Sequence, residues 1–251
     1  MSDGLRVTVW NEGRHEKLHE HVKAIYPKGM GWQIAQYLEK QPGIATVRVA
    51  ELDDAGQGLT DAILDDTDVL TWWGHMAHDD VLDENVERVY ERITGQGLGI
   101  VVLHSGHYSK IFKKLMGTEC DLKWRSSGER ERVWCVDPAH PIASGLPDHF
   151  EIHPVEMYGE HFNIPQPDQQ VFISWFEGGE IFRSGCCWHR GRGKVFYWRP
   201  GDQDFPVYYN EFVLKVIANG VLWAAPTRMA GPITRGNVPP MERLTSTETA
   251  S

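Results

Sequence analysis

Histidine placement points to the chemistry this sequence can do. Five of the twelve histidines, His15, His75, His78, His104 and His107, stand just after short apolar runs. Imidazole shuttles protons near neutral pH and ligates divalent transition metals. His75-Met-Ala-His78 can offer two nitrogens to one ion, with Asp79 or a histidine of His104-Ser-Gly-His107, His104 foremost, completing the shell, and zinc is the kind of cofactor such a set would take. An H-x-x-H pair is equally an ordinary hydrogen-bonded structural feature, and both readings stand. Leu103-His-Ser-Gly-His107 has the pattern of a strand turning tightly into a helix, which lifts the apex side chain above a sheet. Ser105 beside His107 suggests a serine hydrolase, but G-x-S-x-G is absent, and Ser105 is expected to cap the following helix. His104 and His107 remain as acid/base candidates. Glu156-Met-Tyr-Gly-Glu160 carries two carboxylates in an irregular stretch, and Glu160 is the general acid or base expected there, a plain surface loop being the alternative.

These residues need a frame. Apolar runs at Leu5–Trp10, Thr46–Ala50, Asp68–Trp73 and Gly99–His104 alternate with helical spacing at Val22–Leu38, interrupted around Pro27-Lys-Gly29, and at Leu59–Leu64, Asp83–Ile93 and Ser109–Met116. Strand, helix, strand, helix at this spacing predicts an α/β fold with a mainly parallel, doubly wound, flavodoxin-like sheet. Ligands in such sheets lie beyond the carboxyl ends of the strands, where Asn11, Glu12 and His15 follow the first strand. The second half changes texture. Trp124–Trp134 reads as charged and irregular. Val171–Trp175, Glu180–Ser184 and Lys194–Trp198 read as strands, the last followed by Arg199 and Asp202, and Tyr209–Ala225 reads as a helix. Trp72, Trp73, Trp175 and Trp198 are expected in the core, one or two of them near enough to a strand end to stack on a sugar. One domain is predicted over residues 1–225, and an extended arm and disordered tail over 226–251, where Pro, Gly, Thr and Ser replace periodicity.

Composition narrows the partners. A net charge of −10 argues against nucleic acid, which needs a basic surface. Lys110, Lys113 and Lys114 are read as a solvated helix face. No apolar stretch approaches the roughly 20 residues of a spanning helix, and no secretory signal opens the chain, so neither membrane nor export is expected. Cys120, Cys135, Cys186 and Cys187 show no disulfide-like spacing, which suits the cytoplasm.

Several longer strings carry a family resemblance. Val9-Trp-Asn-Glu12 with Arg14-His-Glu16, Trp72-Trp-Gly-His75 with Ala77-His-Asp-Asp-Val81, and Leu103-His-Ser-Gly-His107 are similar to the trehalose-utilisation (ThuA-like) family. So are Lys110–Gly117, Glu156–Glu160, Phe172–Gly179 and Phe182–Gly185. The resemblance runs from about residue 5 to 240 and implies a class I glutamine amidotransferase-like fold. Glutaminases of that superfamily carry a cysteine at the elbow, two residues before Gly-His, and a later His-Pro-Glu. Here those positions hold His104 and Arg199-Pro200-Gly201, so glutaminase activity is excluded, because histidine cannot form the thioester. Relatives commonly have histidine where Asp202 stands; if that histidine is a ligand or acid/base in the family, Asp202 must substitute for it or the site is altered.

The resemblance further implies a role in disaccharide use, and with it the processing of a 3-keto sugar by isomerisation, elimination or cleavage. The residues expected to act are His104, His107, Glu160 and Arg199, with Asn11, Glu12, His15, Ser105 and Asp202 binding a small carbohydrate and His75, His78 and His104 holding any metal. A homo-oligomer is also expected. The alternative is a carbohydrate-binding or regulatory module on a disabled amidotransferase scaffold.

Overall fold

A computed structural model describes residues 4–227, 237 and 239–242. Most of the predicted arm and tail, 226–251, lies outside the described residues. Nine strands form one sheet: β1 (Leu5–Asn11), β2 (Ile44–Glu51), β3 (Val69–Trp73), β4 (Gly99–Leu103), β5 (Lys123–Cys135), β6 (His149–Gly159), β7 (Gln169–Phe176), β8 (Ile181–Arg190) and β9 (Gly193–Trp198). Their order is β2-β1-β3-β4-β9-β8-β7-β5-β6. The first five in that order are parallel, as the flavodoxin-like reading requires, and the remaining pairings are antiparallel. β3 and β4 are buried at every residue, which explains their unbroken apolar character.

Helices α1 (His15–Leu18), α2 (Glu20–Ile25), α3 (Met30–Leu38), α4 (Asp61–Asp65), α5 (Asp83–Glu91), α6 (Lys110–Met116) and α7 (Glu211–Ala224) complete the described fold. The helical stretch over 22–38 is interrupted around Pro27–Gly29 as expected, and Gly29, with φ 92°, breaks the turn before Met30. Neighbouring residues of β9 show that both faces are covered. Phe196 meets Gly220 of α7, where an added Cβ would come within 2.6 Å of its ring. Tyr197 stacks toward Phe112 of α6 with ring centres 5.5 Å apart. Successive strand residues point to opposite faces, so α6 and α7 lie on opposite sides.

Two segments expected to be irregular are strands. Trp124–Trp134 lies within β5, and Glu156 within β6, a paired ladder in which Trp124 opposes Tyr158. Charge and partial exposure hid them: β5 buries only two of its thirteen residues, Glu131 and Val133. Although β6 is the edge strand, it also touches β8 and the turn at Val207–Tyr209. The antiparallel half therefore curls back, and this brings the C-terminal part of β6 over the tip of β4.

Candidate functional site

The site starts where β4 ends. His104 has φ 47°, a left-handed conformation that a bulky residue adopts only when its surroundings hold it there. The Tyr197 hydroxyl donates to the His104 carbonyl at 3.2 Å. Gly201 packs so closely that an added Cβ would lie 2.7 Å from the His104 Cβ. His104 Nδ1 lies 3.2 Å from the Arg199 carbonyl. A carbonyl only accepts, so Nδ1 carries the proton and Nε2 is left with its lone pair. That nitrogen faces the Glu156 carboxylate at 3.3 Å and the Tyr158 hydroxyl at 3.4 Å, and the Tyr158 ring stacks on the imidazole 4.8 Å away.

Asp202 completes this centre. One ligand atom each from His104, Glu156 and Asp202 lie within 4.8 Å of one another, the only such trio of potential metal ligands among the described residues. Tyr26 steadies the loop that carries Asp202, donating to the Phe205 carbonyl at 2.7 Å, and the Asp204 N–H donates to Asp202 at 2.6 Å. Burial sets the protonation of all three. It drives the His104 imidazole down to about 3, raises Asp202 to about 6 and raises Glu156, against the pull of Arg199. Arg199 is itself fully buried and ion-paired to Glu131, which also accepts from Ser174 at 2.6 Å. Its Nε and Nη2 find no partner, and its guanidinium lies 5.3 Å from the Tyr158 ring centre.

Above Glu156 opens a cavity of about 550 Å³, lined by Tyr108, Leu122, Trp124 and Tyr158 on its apolar side. Its polar wall carries His75, His78, Ser105, His107, Asp121, Ser126, Glu156, Gln203 and Asp204. Among the described residues no lysine or arginine lines it. Two buried polar atoms in this wall, Ser105 Oγ and Gln203 Oε1, lack hydrogen-bond partners. Glu156 belongs to both the cavity and the buried centre; His104 and Asp202 stand behind the lining.

The sequence-predicted residues divide accordingly. Ser105, His75, His78 and His107 reach the cavity, and His104, Asp202 and Arg199 gather behind it. The expected metal set does not assemble: His75 and His78 do not join His104, which meets Glu156 and Asp202 instead. His75 Nδ1 is 2.9 Å from His15 Nε2, and burial followed by the neighbouring His75 lowers His15 to about 4. Burial also lowers His78 to about 4 and His107 to about 3, and His107 Nδ1 donates to the Cys120 carbonyl at 2.9 Å.

Glu12 accepts the main-chain N–H groups of His75, Met76 and Ala77 at 2.7, 3.0 and 3.0 Å, which shapes the turn after β3. Asn11 Oδ1 accepts from the Gly13 N–H at 2.7 Å, closing the turn after β1. Glu160 is held by Arg183 at 2.8 and 2.9 Å and by the Phe162 N–H, and does not line the cavity. Burial works to raise its carboxyl, but these donors outweigh it and hold the group below the usual range. Ser105 does not cap the next helix. Ser109 does, accepting from the Phe112 N–H at 3.3 Å, and the Ser105 Oγ is left buried without a partner.

Sequence reasoning missed Trp124, Tyr108 and Gln203, and it chose Glu160 over Glu156. Trp72, Trp73 and Trp198 are in the core as expected, while the tryptophan at the cavity is Trp124, 66% exposed. A strand reading of 123–135 would have found it, since the exposed tryptophan then falls at a strand start.

Comparison with known proteins adds the following. A family model described as ThuA, trehalose utilisation, matches residues 6–224. No curated protein sequence matches the chain. Among solved structures, a ThuA-like protein from Parabacteroides merdae superposes with a TM-score of 0.67 at 13% identity, covering 92% of this chain and 93% of that one. A ThuA-like protein from Bacteroides uniformis gives 0.62 at 13% identity, covering 89% and 93%. A protein of Salmonella typhimurium described as cytoplasmic gives 0.55 at 12% identity, covering 89% and 100%. At these identities the likeness is one of fold. Among the described residues no helix is long and apolar enough to cross a membrane.

Proposed function

The chain belongs to the ThuA family of trehalose utilisation, and on that premise we propose that it is a cytoplasmic enzyme that binds a neutral sugar in the cavity above Glu156 and removes a proton beside a carbonyl of that sugar. The carrying observation is the make-up of the cavity wall. Its size is that of a small-molecule site. Trp124 is exposed at the wall and offers a ring face to the apolar side of a pyranose, with its cross-strand partner Tyr158 lining the wall beside it. Ser105 and Gln203 line the cavity's polar side, and their buried Oγ and Oε1 are left without a hydrogen-bond partner, which a side-chain rotation toward a bound hydroxyl would supply. With Asp121, Glu156 and Asp204 in the wall and no cationic side chain, the cavity favours an uncharged polyol over a phosphorylated one.

The chemistry follows from Glu156. A carboxylate needs a raised affinity for protons to act as a base near neutral pH, and burial supplies it. A ketone at C3 of a sugar acidifies the C2 hydrogen. Glu156 takes that proton, and the electron pair enters the C2–C3 bond as an enolate. Return of the proton to the other face isomerises the sugar. Alternatively, the pair forms C1=C2, the C1–O bond breaks, and the departing oxygen is protonated. Tyr158, which lines the cavity and whose hydroxyl lies 3.4 Å from His104 Nε2, is our candidate to supply that proton. Incubation with 3-keto-trehalose, followed by NMR, tests the reading: a new product is expected, and an unchanged substrate over a panel of 3-keto-glycosides would refute it.

One observation favours a second reading. His104 and Asp202 stand behind the cavity lining, as they would in a binding module whose buried polar centre only shapes the wall. That reading expects sugar to raise the melting temperature with no turnover.

A further inference from the structure

We propose that His104, Glu156 and Asp202 form a binding site for one first-row divalent cation, zinc or manganese, beneath the cavity. Because the Arg199 carbonyl fixes the proton on Nδ1, His104 presents a bare Nε2 to two carboxylates. Three acceptors thus converge in a buried place, and the Tyr158 hydroxyl, at 3.4 Å, is the one donor close to Nε2. Acceptors facing one another out of water are unfavourable unless something positive lies between them. Arg199 meets that need only in part, because it is ion-paired to Glu131 and no hydrogen bond joins its guanidinium to Glu156 or Asp202.

The spacing suits a metal. Ligand atoms about 2.1 Å from a tetrahedral ion stand about 3.4 Å apart. His104 Nε2 and Glu156 Oε2 are 3.3 Å apart, and the Asp202 oxygen lies within 4.8 Å of both. The imidazole is oriented through its second nitrogen by a backbone carbonyl, and Asp202 by the Asp204 N–H, the outer contacts that hold metal ligands in place. One imidazole and two carboxylates are a borderline-to-hard donor set, which selects zinc or manganese over copper(I). Three protein ligands leave a coordination position open, and Glu156 is the ligand that also lines the cavity. The site differs from the His75, His78 and His104 set expected from spacing. It shares Glu156 with the proposed function, in which Glu156 acts as the base of the metal-free chain, and it does not depend on a sugar being the substrate.

The test uses the full chain stripped with a chelator and dialysed, then titrated calorimetrically with zinc or manganese chloride. One ion per chain is expected. Glu156→Gln and Asp202→Asn, near-isosteric changes, should each weaken binding about 100-fold or more. His75→Ala should bind as the unaltered chain does. Circular dichroism melts with and without metal report folding separately: metal should raise the melting temperature of the unaltered chain and of His75→Ala only. No saturable binding of either ion, or unchanged affinity in folded Glu156→Gln and Asp202→Asn, would overturn the site, as would its loss in His75→Ala. Metal binding without sugar turnover would sink the proposed function and leave the site standing; turnover without metal binding would do the reverse.

Discussion

His104 Nε2 and the Glu156 carboxylate lie 3.3 Å apart, although one ends a central parallel strand and the other lies on the edge strand of the antiparallel half. The contact exists because the sheet curls back on itself. It ties the two halves together at the point where the cavity meets the buried centre, and the following predictions test what surrounds it.

The turn carrying His75 depends on Glu12. Three main-chain N–H groups donate to one buried carboxylate, so Glu12→Ala strands all three. A loss of roughly 3–5 kcal/mol is expected in urea denaturation. A loss below about 1 kcal/mol would show that the turn holds without it.

Arg199 and Glu131 are a pair in which removal of one partner leaves a buried charge. Arg199→Met should cost about 3–5 kcal/mol, and the double replacement Arg199→Met with Glu131→Leu should recover most of that. A double-mutant cycle by urea denaturation measures the coupling, and additive losses would contradict the pairing.

Stability should fall as the solution is acidified through the histidine range. Burial holds His107 neutral in the fold, its imidazole lowered from 6.5 to about 3, and His15 behaves alike at about 4. The unfolded chain takes up protons near 6.5 where the fold does not. The contribution is therefore complete above pH 6.5 and is lost as pH falls toward about 4 and then 3. Each group adds a slope of up to about 1.4 kcal/mol per pH unit in that window. Denaturation midpoints measured from about pH 7.5 to 5 should decline, and His107→Gln should flatten the decline. A flat profile in the unaltered chain would contradict the buried neutral state.

Trp124 is 66% exposed, so its removal separates binding from folding. Trp124→Ala should change stability by less than about 0.5 kcal/mol while weakening sugar binding roughly fivefold to tenfold. Calorimetry with a 3-keto-glycoside checks this, and unchanged affinity would remove Trp124 from the site.

The parallel half was readable because burial on both faces makes β3 and β4 continuous apolar runs, and His104 followed from its place at the end of one. The expected sheet, with crossover helices on both faces, is the one observed. The rest was hidden for physical reasons. β5 keeps mostly exposed charged residues, so the buried Glu131 looks like one more member of Glu129-Arg-Glu-Arg132, and only its pairing with Arg199 distinguishes it. Glu156 and Glu160 are equivalent in sequence. What separates them is Arg183 on β8, a partner that becomes visible only once the strands are paired. The His75 and His78 spacing suggested a metal set, but their turn is shaped by Glu12 and carries them to the cavity wall, not to His104.

The most direct measurement is the rate of product formation from 3-keto-trehalose, followed by NMR, for the unaltered chain beside Glu156→Gln. The unaltered chain should convert the sugar, and the variant, folded by its melting curve, should be slowed by about 100-fold or more, the range expected when a general base is removed. Equal rates for the two, or no conversion by the unaltered chain, would contradict the account.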